Sequence, residues 1–189
     1  MKPQFIFDLD DVSVDMIDKV HRILNPLCGQ EHKPEDFYTY DFLTMYPGFE
    51  KPYLMEALVD AKAIETANPL EGAVEATHLI REAGGEVNIV TARRWHPNAE
   101  SATEAYLERK GFYFDRLRVT GYQQPKSEAY KHIAPQFELM VDDSPSHLTD
   151  ALETGIVNQV AMIEKPWNAA AKHPRHSSLL NVVQEYLSR

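Results

Sequence analysis

The feature that most constrains the fold is a regular alternation of short apolar runs with segments of helical spacing. The apolar runs, which predict strands, lie at 4–7, 86–90, 117–119, 138–141 and 160–163. Helical spacing is found between them, at about 70–83, 98–110, 126–134 and 145–153. This alternation predicts an α/β fold with a doubly wound parallel sheet, in which ligands bind beyond the carboxyl ends of the strands.

The stretch from 14 to 68 interrupts the alternation. It contains no convincing strand and is rich in aromatic and helix-compatible residues. Pro69 and Gly72 punctuate its end, and the alternation then resumes. We therefore predict an α/β core made of residues 1–13 and 69–189, a small helical insertion at 14–68, and a terminal helix within 177–189.

Two carboxylates, Asp8 and Asp10, follow the first apolar run with one residue between them. Crowded carboxylates repel one another, so such a pair is stable when a cation or shared protons offset the charge. A solvated acidic turn is the alternative interpretation. A calcium-binding loop is excluded, because Ser13 stands where its glycine belongs and Lys19 where its closing glutamate belongs.

Three further signals follow other predicted elements. Thr91 ends the second apolar run, and its hydroxyl and the next amide could bind a phosphate oxygen or simply cap a turn. Lys126 opens a predicted helix, where a lysine is usually only solvated. Asp142 and Asp143 close a later apolar run, which is a less common arrangement.

In this order, these signals resemble the four motifs of the haloacid dehalogenase superfamily. The resemblance extends from residue 5 to about residue 163 and implies that the insertion at 14–68 is a helical cap. The residues that match the motifs are 8–12, Thr91, Lys126, Asp142 and Asp143.

The resemblance implies a phosphohydrolase in which Asp8 is the nucleophile and forms an aspartyl phosphate. Asp10 matches the catalytic acid and base, and an aspartate at this position resembles phosphatases rather than the superfamily's ATPases. The implied cofactor is Mg²⁺, held by Asp8, the backbone carbonyl of Asp10, and Asp143. Asp142 either shares that role or orients Lys126.

The implied phosphate-binding groups are Lys126, Thr91 and the amide of Ala92, with Arg93 available to the leaving group or to a second phosphate. Arg94, Trp95 and His96 follow and share that last expectation, while surface solvation is the alternative for both arginines. The sequence departs from the superfamily pattern at Asp11, where glycine is common, so the geometry of this loop is in question.

A narrower resemblance, to the 5'(3')-deoxyribonucleotidase family, rests on the size of the insertion and on the segments 69–73 and 164–168. It implies a (deoxy)nucleoside monophosphate as substrate. Seven aromatic residues of the insertion could form its core or stack on a base, and several are four apart, as on one helix face. These are Phe37, Tyr38, Tyr40, Phe42, Tyr46, Phe49 and Tyr53.

Composition limits the partners. A formal charge of −10 disfavours long nucleic acids and anionic membranes, so we expect a small phosphorylated metabolite. Cys28 is the single cysteine and no secretory signal or membrane segment is evident, which predicts a cytoplasmic protein; a homodimer is left open. The alternatives are a phosphatase of another metabolite, such as a sugar phosphate, and a non-enzymatic phosphate-binding relative.

Overall fold

A six-stranded parallel sheet forms the centre of the computed structural model, which describes residues 2–39, 41–121 and 124–189. The strands run in the order β5-β4-β1-β6-β7-β8, so β1 lies inside the sheet between β4 and β6. Their bounds are β1 Gln4–Phe7, β4 Glu86–Thr91, β5 Arg116–Val119, β6 Phe137–Asp142, β7 Val157–Ile163 and β8 Arg175–His176. The predicted α/β fold with a parallel sheet is confirmed.

Helices lie between the strands, and one more follows the last strand. In the α/β part they are α4 Ala73–Glu82, α5 Ala99–Lys110, α6 Ser127–Tyr130, α7 Pro145–Glu153 and α8 Leu179–Leu187. Gly72, at the start of α4, has a φ of 73°, and a Cβ there would lie 2.6 Å from a side-chain carbon of Leu180 in α8. The close contact of α4 with α8 therefore requires glycine at this position.

Two predicted elements differ from the sequence analysis. The helix expected at 126–134 is only the short α6, because Pro135 disfavours helical backbone at Ala134 and lacks an amide donor. Strand β7 begins three residues earlier than expected, at Val157, and includes the exposed Asn158 and Gln159, so it is not apolar throughout.

The segment 14–68, which lies between β1 and α4, is mostly helical. It holds α1 Met16–Cys28, α2 Lys51–Asp60, α3 Ala63–Thr66 and two 3₁₀ turns, Pro34–Asp36 and Phe42–Met45. The expectation of no strand is wrong at its two ends, since β2 Val14–Asp15 pairs antiparallel with β3 Asn68–Pro69. This pairing joins the point where the chain enters the segment 14–68 to the point where it leaves. The division into core and cap stays a prediction.

The aromatic residues of this segment do not share one helix face. Tyr38, Phe42 and Tyr46 fall in 3₁₀ turns and loops; Tyr38 is 73% exposed whereas Tyr46 is 1% exposed. Residues four apart lie on one face only in a continuous α-helix. Here Pro47 and Gly48 come directly after Tyr46, so no such helix continues past it. Phe49 precedes α2, yet its ring stacks on Tyr53 with centroids 6.0 Å apart. Tyr40 lies outside the described residues.

The core lies on both sides of the central strands. Phe5, Ile6 and Phe7 of β1 are buried, and so are Met140 and Val141 of β6. Their burial fixes the carboxyl ends of β1 and β6 side by side, with Phe7 in register with Val141. Among the described residues no helix is both long and apolar enough to span a bilayer.

Candidate active site

The loop after β1 is held by its own hydrogen bonds. The Leu9 carbonyl accepts from the amides of Val12, Ser13 and Val14, and the Ser13 hydroxyl donates to the Asp8 carbonyl at 2.9 Å. The Asp8 amide donates to the Val141 carbonyl at 3.0 Å, which attaches the loop to β6. Asp8 is thereby fixed beside the end of β6.

Three carboxylates, from Asp8, Asp142 and Asp143, meet at this edge of the sheet. One oxygen of each lies within 4.8 Å of the others, and all three side chains are buried. The ammonium group of Lys126, also buried, lies 2.7 Å from Asp8 Oδ1 and 2.7 Å from Asp142 Oδ2. The sequence signals at 8, 126 and 142–143 therefore form one cluster.

Burial governs the ionisation of this cluster. It raises the pKa of Asp8 to about 6, with Lys126 opposing the shift and Asp142 adding to it. It also raises the pKa of Asp143, with repulsion from Asp142 and Asp8 added. Burial acts in the same sense on Asp142, but Lys126 and His147 outweigh it and lower the pKa of that carboxyl. For Lys126, the two carboxylates outweigh burial and raise its pKa.

The charges of the cluster fit a divalent cation. When ionised, its three carboxylates carry three negative charges and Lys126 supplies one positive charge, which leaves a surplus of two. Carboxylate oxygens are the ligands that Mg²⁺ prefers, and a cation would offset the burial and the mutual repulsion that raise the pKa values of Asp8 and Asp143. The residues present therefore fit Mg²⁺.

The carboxylate of Asp10 points to a different partner. It accepts hydrogen bonds from the guanidinium of Arg93, from Nε at 3.0 and 3.1 Å and from Nη2 at 2.5 Å. The Arg93 side chain is fully buried and lies over the ring of Tyr106, 5.8 Å from its centroid. Arg93, expected at the substrate, thus binds Asp10 in this structure. The Asp10 side chain lies outside the three-carboxylate cluster.

Asp11, in place of the usual glycine, adopts the left-handed conformation with a φ of 62°. Its Oδ1 accepts from the amide of Ile17 at 3.0 Å, so the side chain fastens the loop to the start of α1. Burial raises its pKa from 3.8 to about 7, against the attraction of Lys165. The loop therefore keeps a backbone conformation that glycine favours, and holds a buried acid there.

Thr91, the last residue of β4, has a buried hydroxyl. Within the described part of the chain this oxygen has no hydrogen-bond partner. Ala92 follows at the lining of an adjacent cavity, so the backbone here borders the same opening as Asp8 and Asp10. A buried hydroxyl without a partner is costly unless a ligand supplies one, which agrees with the predicted phosphate site.

The cavity extends from the acids toward the helical segment and opens to solvent. Its polar end is formed by Asp8, Asp10, Asp11 and Asp143, and Thr39 is a further polar residue. No lysine or arginine lines the cavity among the described residues. The apolar walls come from Met16, Ile17, Val20, Phe42, Met55 and Leu58 on one side and from Trp95 and Trp167 on the other.

No family model matches the chain and no curated protein does, but solved structures match it over nearly its whole length. A predicted phosphatase from Clostridium acetobutylicum shares 17% identity at a TM-score of 0.64, with 100% of each chain covered. A D,D-heptose 1,7-bisphosphate phosphatase from B. bronchiseptica shares 14% at 0.59, covering 100% of this chain and 99% of that one. The L-2-haloacid dehalogenase from Xanthobacter autotrophicus also shares 14% at 0.59, covering 99% of both.

This is the fold of haloacid dehalogenase-like hydrolases. Since the identities are low, the likeness shows the fold and leaves the reaction open between phosphatases and dehalogenases. The narrower resemblance to deoxyribonucleotidases stays a prediction.

Three contacts at the candidate site were not predicted from the sequence. Trp167 donates its indole N–H to Asp143 Oδ2 at 2.7 Å. Asn168 donates to the backbone carbonyl of Asp143 at 2.8 Å. His147 lies 3.3 Å from Asp142 Oδ2, through Nδ1. Of the basic residues after Thr91, Arg94 donates to the Val119 carbonyl and His96 lies 3.9 Å from Glu65, so neither lines the cavity.

Proposed function

We propose that this protein is a Mg²⁺-dependent phosphohydrolase that acts through an aspartyl phosphate on Asp8, with a (deoxy)nucleoside monophosphate as substrate. The observation that carries the proposal is the buried cluster of Asp8, Asp142, Asp143 and Lys126, which opens through Asp8 and Asp143 onto a cavity with aromatic walls. The cluster supports the chemistry, and the cavity supports the choice of substrate.

In this proposal the Asp8 carboxylate attacks phosphorus while Asp10, in its protonated form, gives its proton to the leaving alkoxide. Asp10 then takes a proton from the water that hydrolyses the aspartyl phosphate. The ammonium of Lys126 and the Thr91 hydroxyl offset the charge on the transferring oxygens. Mg²⁺ would be held by Asp8, Asp143 and the Asp10 carbonyl and would supply further positive charge at the phosphate. The 2.7 Å contact with Lys126 supports the orienting role for Asp142.

A phosphatase is favoured over a dehalogenase by two features. A haloacid dehalogenase needs no acid at the position of Asp10, whereas this chain has Asp10 and, when the three carboxylates are ionised, a surplus of two negative charges around Asp8. A metal-free reaction would leave that surplus buried and uncompensated, which is expensive.

The cavity favours a leaving group that carries an aromatic base over one that is a sugar alone. Beyond the acidic end, Thr39 is the one polar side chain of the lining among the described residues, so most sugar hydroxyls would lack partners there. The lack of lysine and arginine in the same lining disfavours a second phosphate. Phe42, Trp95 and Trp167 instead offer surfaces for a base, and such stacking is worth roughly 1 to 3 kcal/mol.

The test is a panel of phosphorylated metabolites assayed with and without Mg²⁺. We expect nucleoside monophosphates to be hydrolysed faster than sugar phosphates and bisphosphates, and only with the metal. Asp8→Asn, purified free of wild-type enzyme, should be inactive on all of them. Activity of Asp8→Asn above a trace would exclude the covalent mechanism, and a preference for sugar phosphates would exclude the substrate assignment alone.

A second experiment tests how the cavity wall acts. Phe42→Ala should weaken hydrolysis of a nucleoside monophosphate and leave a small alkyl phosphate nearly unchanged, since the alkyl group has no ring to stack on Phe42. Tyr46→Ala, a buried neighbour outside the cavity lining, should instead cost roughly 3 to 5 kcal/mol of stability without changing the substrate ratio. Equal effects of both variants on the substrate ratio would contradict a substrate-binding role for Phe42.

A further inference from the structure

The segment after β7 is fixed against the acidic cluster by Asn168. This side chain is buried and donates to the carbonyls of Asp143 and Ile163, both at 2.8 Å. Its Oδ1 accepts from the amide of Lys165 at 3.0 Å, which closes the 3₁₀ turn Pro166–Asn168. The turn therefore presents Trp167 to the end of β6 in a defined position.

Trp167 has two contacts of different kinds. Its indole N–H donates to Asp143 Oδ2 at 2.7 Å, and its ring lines the cavity that we assign to the leaving group. Within the described part of the chain, this is the one side-chain hydrogen bond that the Asp143 carboxylate accepts. With Oδ2 occupied by the indole, Oδ1 is the oxygen left for a cation.

We propose that Trp167 couples the two halves of the site: its N–H orients Asp143 for the metal, and its ring contacts the leaving group. Trp167 is then a positioning residue for Mg²⁺ and a specificity residue for the substrate. The inference rests on the proposed function for the identity of the leaving group, but its metal half depends only on the cluster of carboxylates.

The coupling has a physical basis in the rigidity of the indole. A ring that stacks against a bound base is held in place, and the same ring carries the donor that holds Asp143. Hydrogen bonds to metal-binding residues commonly change metal affinity by roughly 10- to 100-fold. By linkage, binding of the leaving group should then strengthen Mg²⁺ binding, and Mg²⁺ should strengthen binding of the leaving group by the same factor.

The chain offers a matched pair of variants, because Trp95 and Trp167 are its two tryptophans and both line the cavity. Trp167→Phe keeps an aromatic ring but removes the N–H. Trp95→Phe makes the same change at a residue that does not contact Asp143 by a hydrogen bond in this structure. The folded state of each variant is checked by circular dichroism and thermal unfolding.

Calorimetric titration of the metal-free proteins with Mg²⁺ tests the first half. We expect the Mg²⁺ dissociation constant of Trp167→Phe to rise roughly 10- to 100-fold, and that of Trp95→Phe to stay within about twofold of the wild type. Equal affinities of Trp167→Phe and the wild type would overturn the inference and leave the proposed function standing. Failure of the wild type itself to bind Mg²⁺ would overturn both.

Tryptophan fluorescence supplies a readout that does not depend on affinity. In Trp95→Phe the only indole left is that of Trp167, so adding Mg²⁺ should shift its fluorescence emission as the environment of the N–H changes. In Trp167→Phe, the emission of Trp95 should stay constant when Mg²⁺ is added. Adding a nucleoside should lower the Mg²⁺ dissociation constant of the wild type but not that of Trp167→Phe. A nucleoside effect of equal size in both proteins would contradict the coupling.

Discussion

Asp11→Asn isolates the effect of one buried charge. Asparagine tolerates the left-handed φ of 62° better than most residues, and its side-chain oxygen can still accept from the Ile17 amide. The substitution therefore keeps the backbone and the hydrogen bond while removing the ionisable group. Because burial raises the pKa of Asp11 to about 7, the charge is unfavourable in the folded protein even with Lys165 nearby.

The size of the effect follows from linkage. The folded-state pKa is raised from 3.8 to about 7, so Asp11 contributes stability that is complete below pH 3.8 and is lost as the pH rises to about 7. Between about pH 5 and pH 7 the unfolded chain has already released this proton and the folded protein still holds it. Each pH unit in that window costs about 1.4 kcal/mol, or roughly 2 to 3 kcal/mol in all.

We therefore expect the stability of Asp11→Asn, relative to the wild type, to increase by roughly 2 to 3 kcal/mol from pH 5 to pH 8. The assay is urea unfolding of both metal-free proteins at several pH values, followed by circular dichroism. Other groups titrate in both proteins, so the difference between them reports Asp11. Repeating the series with Mg²⁺ shows whether the ion offsets this charge, in which case the advantage of the variant shrinks.

A difference between the two proteins that stays constant from pH 5 to pH 8 would refute the reasoning. It would mean that Asp11 ionises as easily in the folded protein as in the unfolded chain. A variant that becomes less stable relative to the wild type as the pH rises would show that the attraction of Lys165 outweighs burial.

Three further predictions concern the proposed reaction. Asp10→Asn should slow the first step with alkyl phosphates far more than with activated aryl phosphates, measured by rapid-quench kinetics; equal loss with both ester types would count against Asp10 as the acid. Arg93→Lys removes the contact of both Nε and Nη2 with Asp10 and should lower kcat more than it raises KM. The double variant with Asp10→Asn should lose little more activity than Asp10→Asn alone. Additive losses of activity in steady-state assays would place Arg93 elsewhere in the reaction. Thr91→Val should keep the unfolding free energy within about 1 kcal/mol and reduce kcat/KM by roughly 10-fold or more, because a hydrogen bond to a charged phosphate is worth roughly 1.5 to 3 kcal/mol; unchanged kcat/KM would remove Thr91 from the phosphate site.

The parts of the site that the sequence predicts are those that sit at the ends of apolar strands. Asp8 and Asp142-Asp143 are visible because a buried run stops abruptly at a carboxylate, and the parallel sheet then brings those ends together. Lys126 is different, since a lysine before a short helix gives no local sign that it will be buried between two carboxylates. Its place came from the resemblance to known motifs.

The contacts of Arg93 and Trp167 could not be predicted from sequence in the same way. Each joins residues far apart in the chain, Arg93 to Asp10 and Trp167 to Asp143, and neither spacing has a periodicity that would reveal it. The prediction of one helix face from the spacing of the aromatic residues was wrong for the opposite reason. A regular interval of four was present, but the 3₁₀ turn Phe42–Met45 does not give it the meaning that it has in an α-helix.

The charge of the active site connects the fold to the proposed chemistry. Burial at the sheet edge raises the pKa of Asp8 to about 6 and raises the pKa of Asp143, so in the metal-free protein both carboxyls hold protons more tightly than in water. A nucleophile must be ionised, and Lys126, which favours ionisation of Asp8, also pairs with Asp142. A divalent cation would supply two positive charges, which would favour the ionised form of Asp8 and Asp143 and would make the site attractive to a phosphate dianion. The surplus of buried carboxylates, costly to the fold by itself, is thus what makes the proposed reaction depend on Mg²⁺.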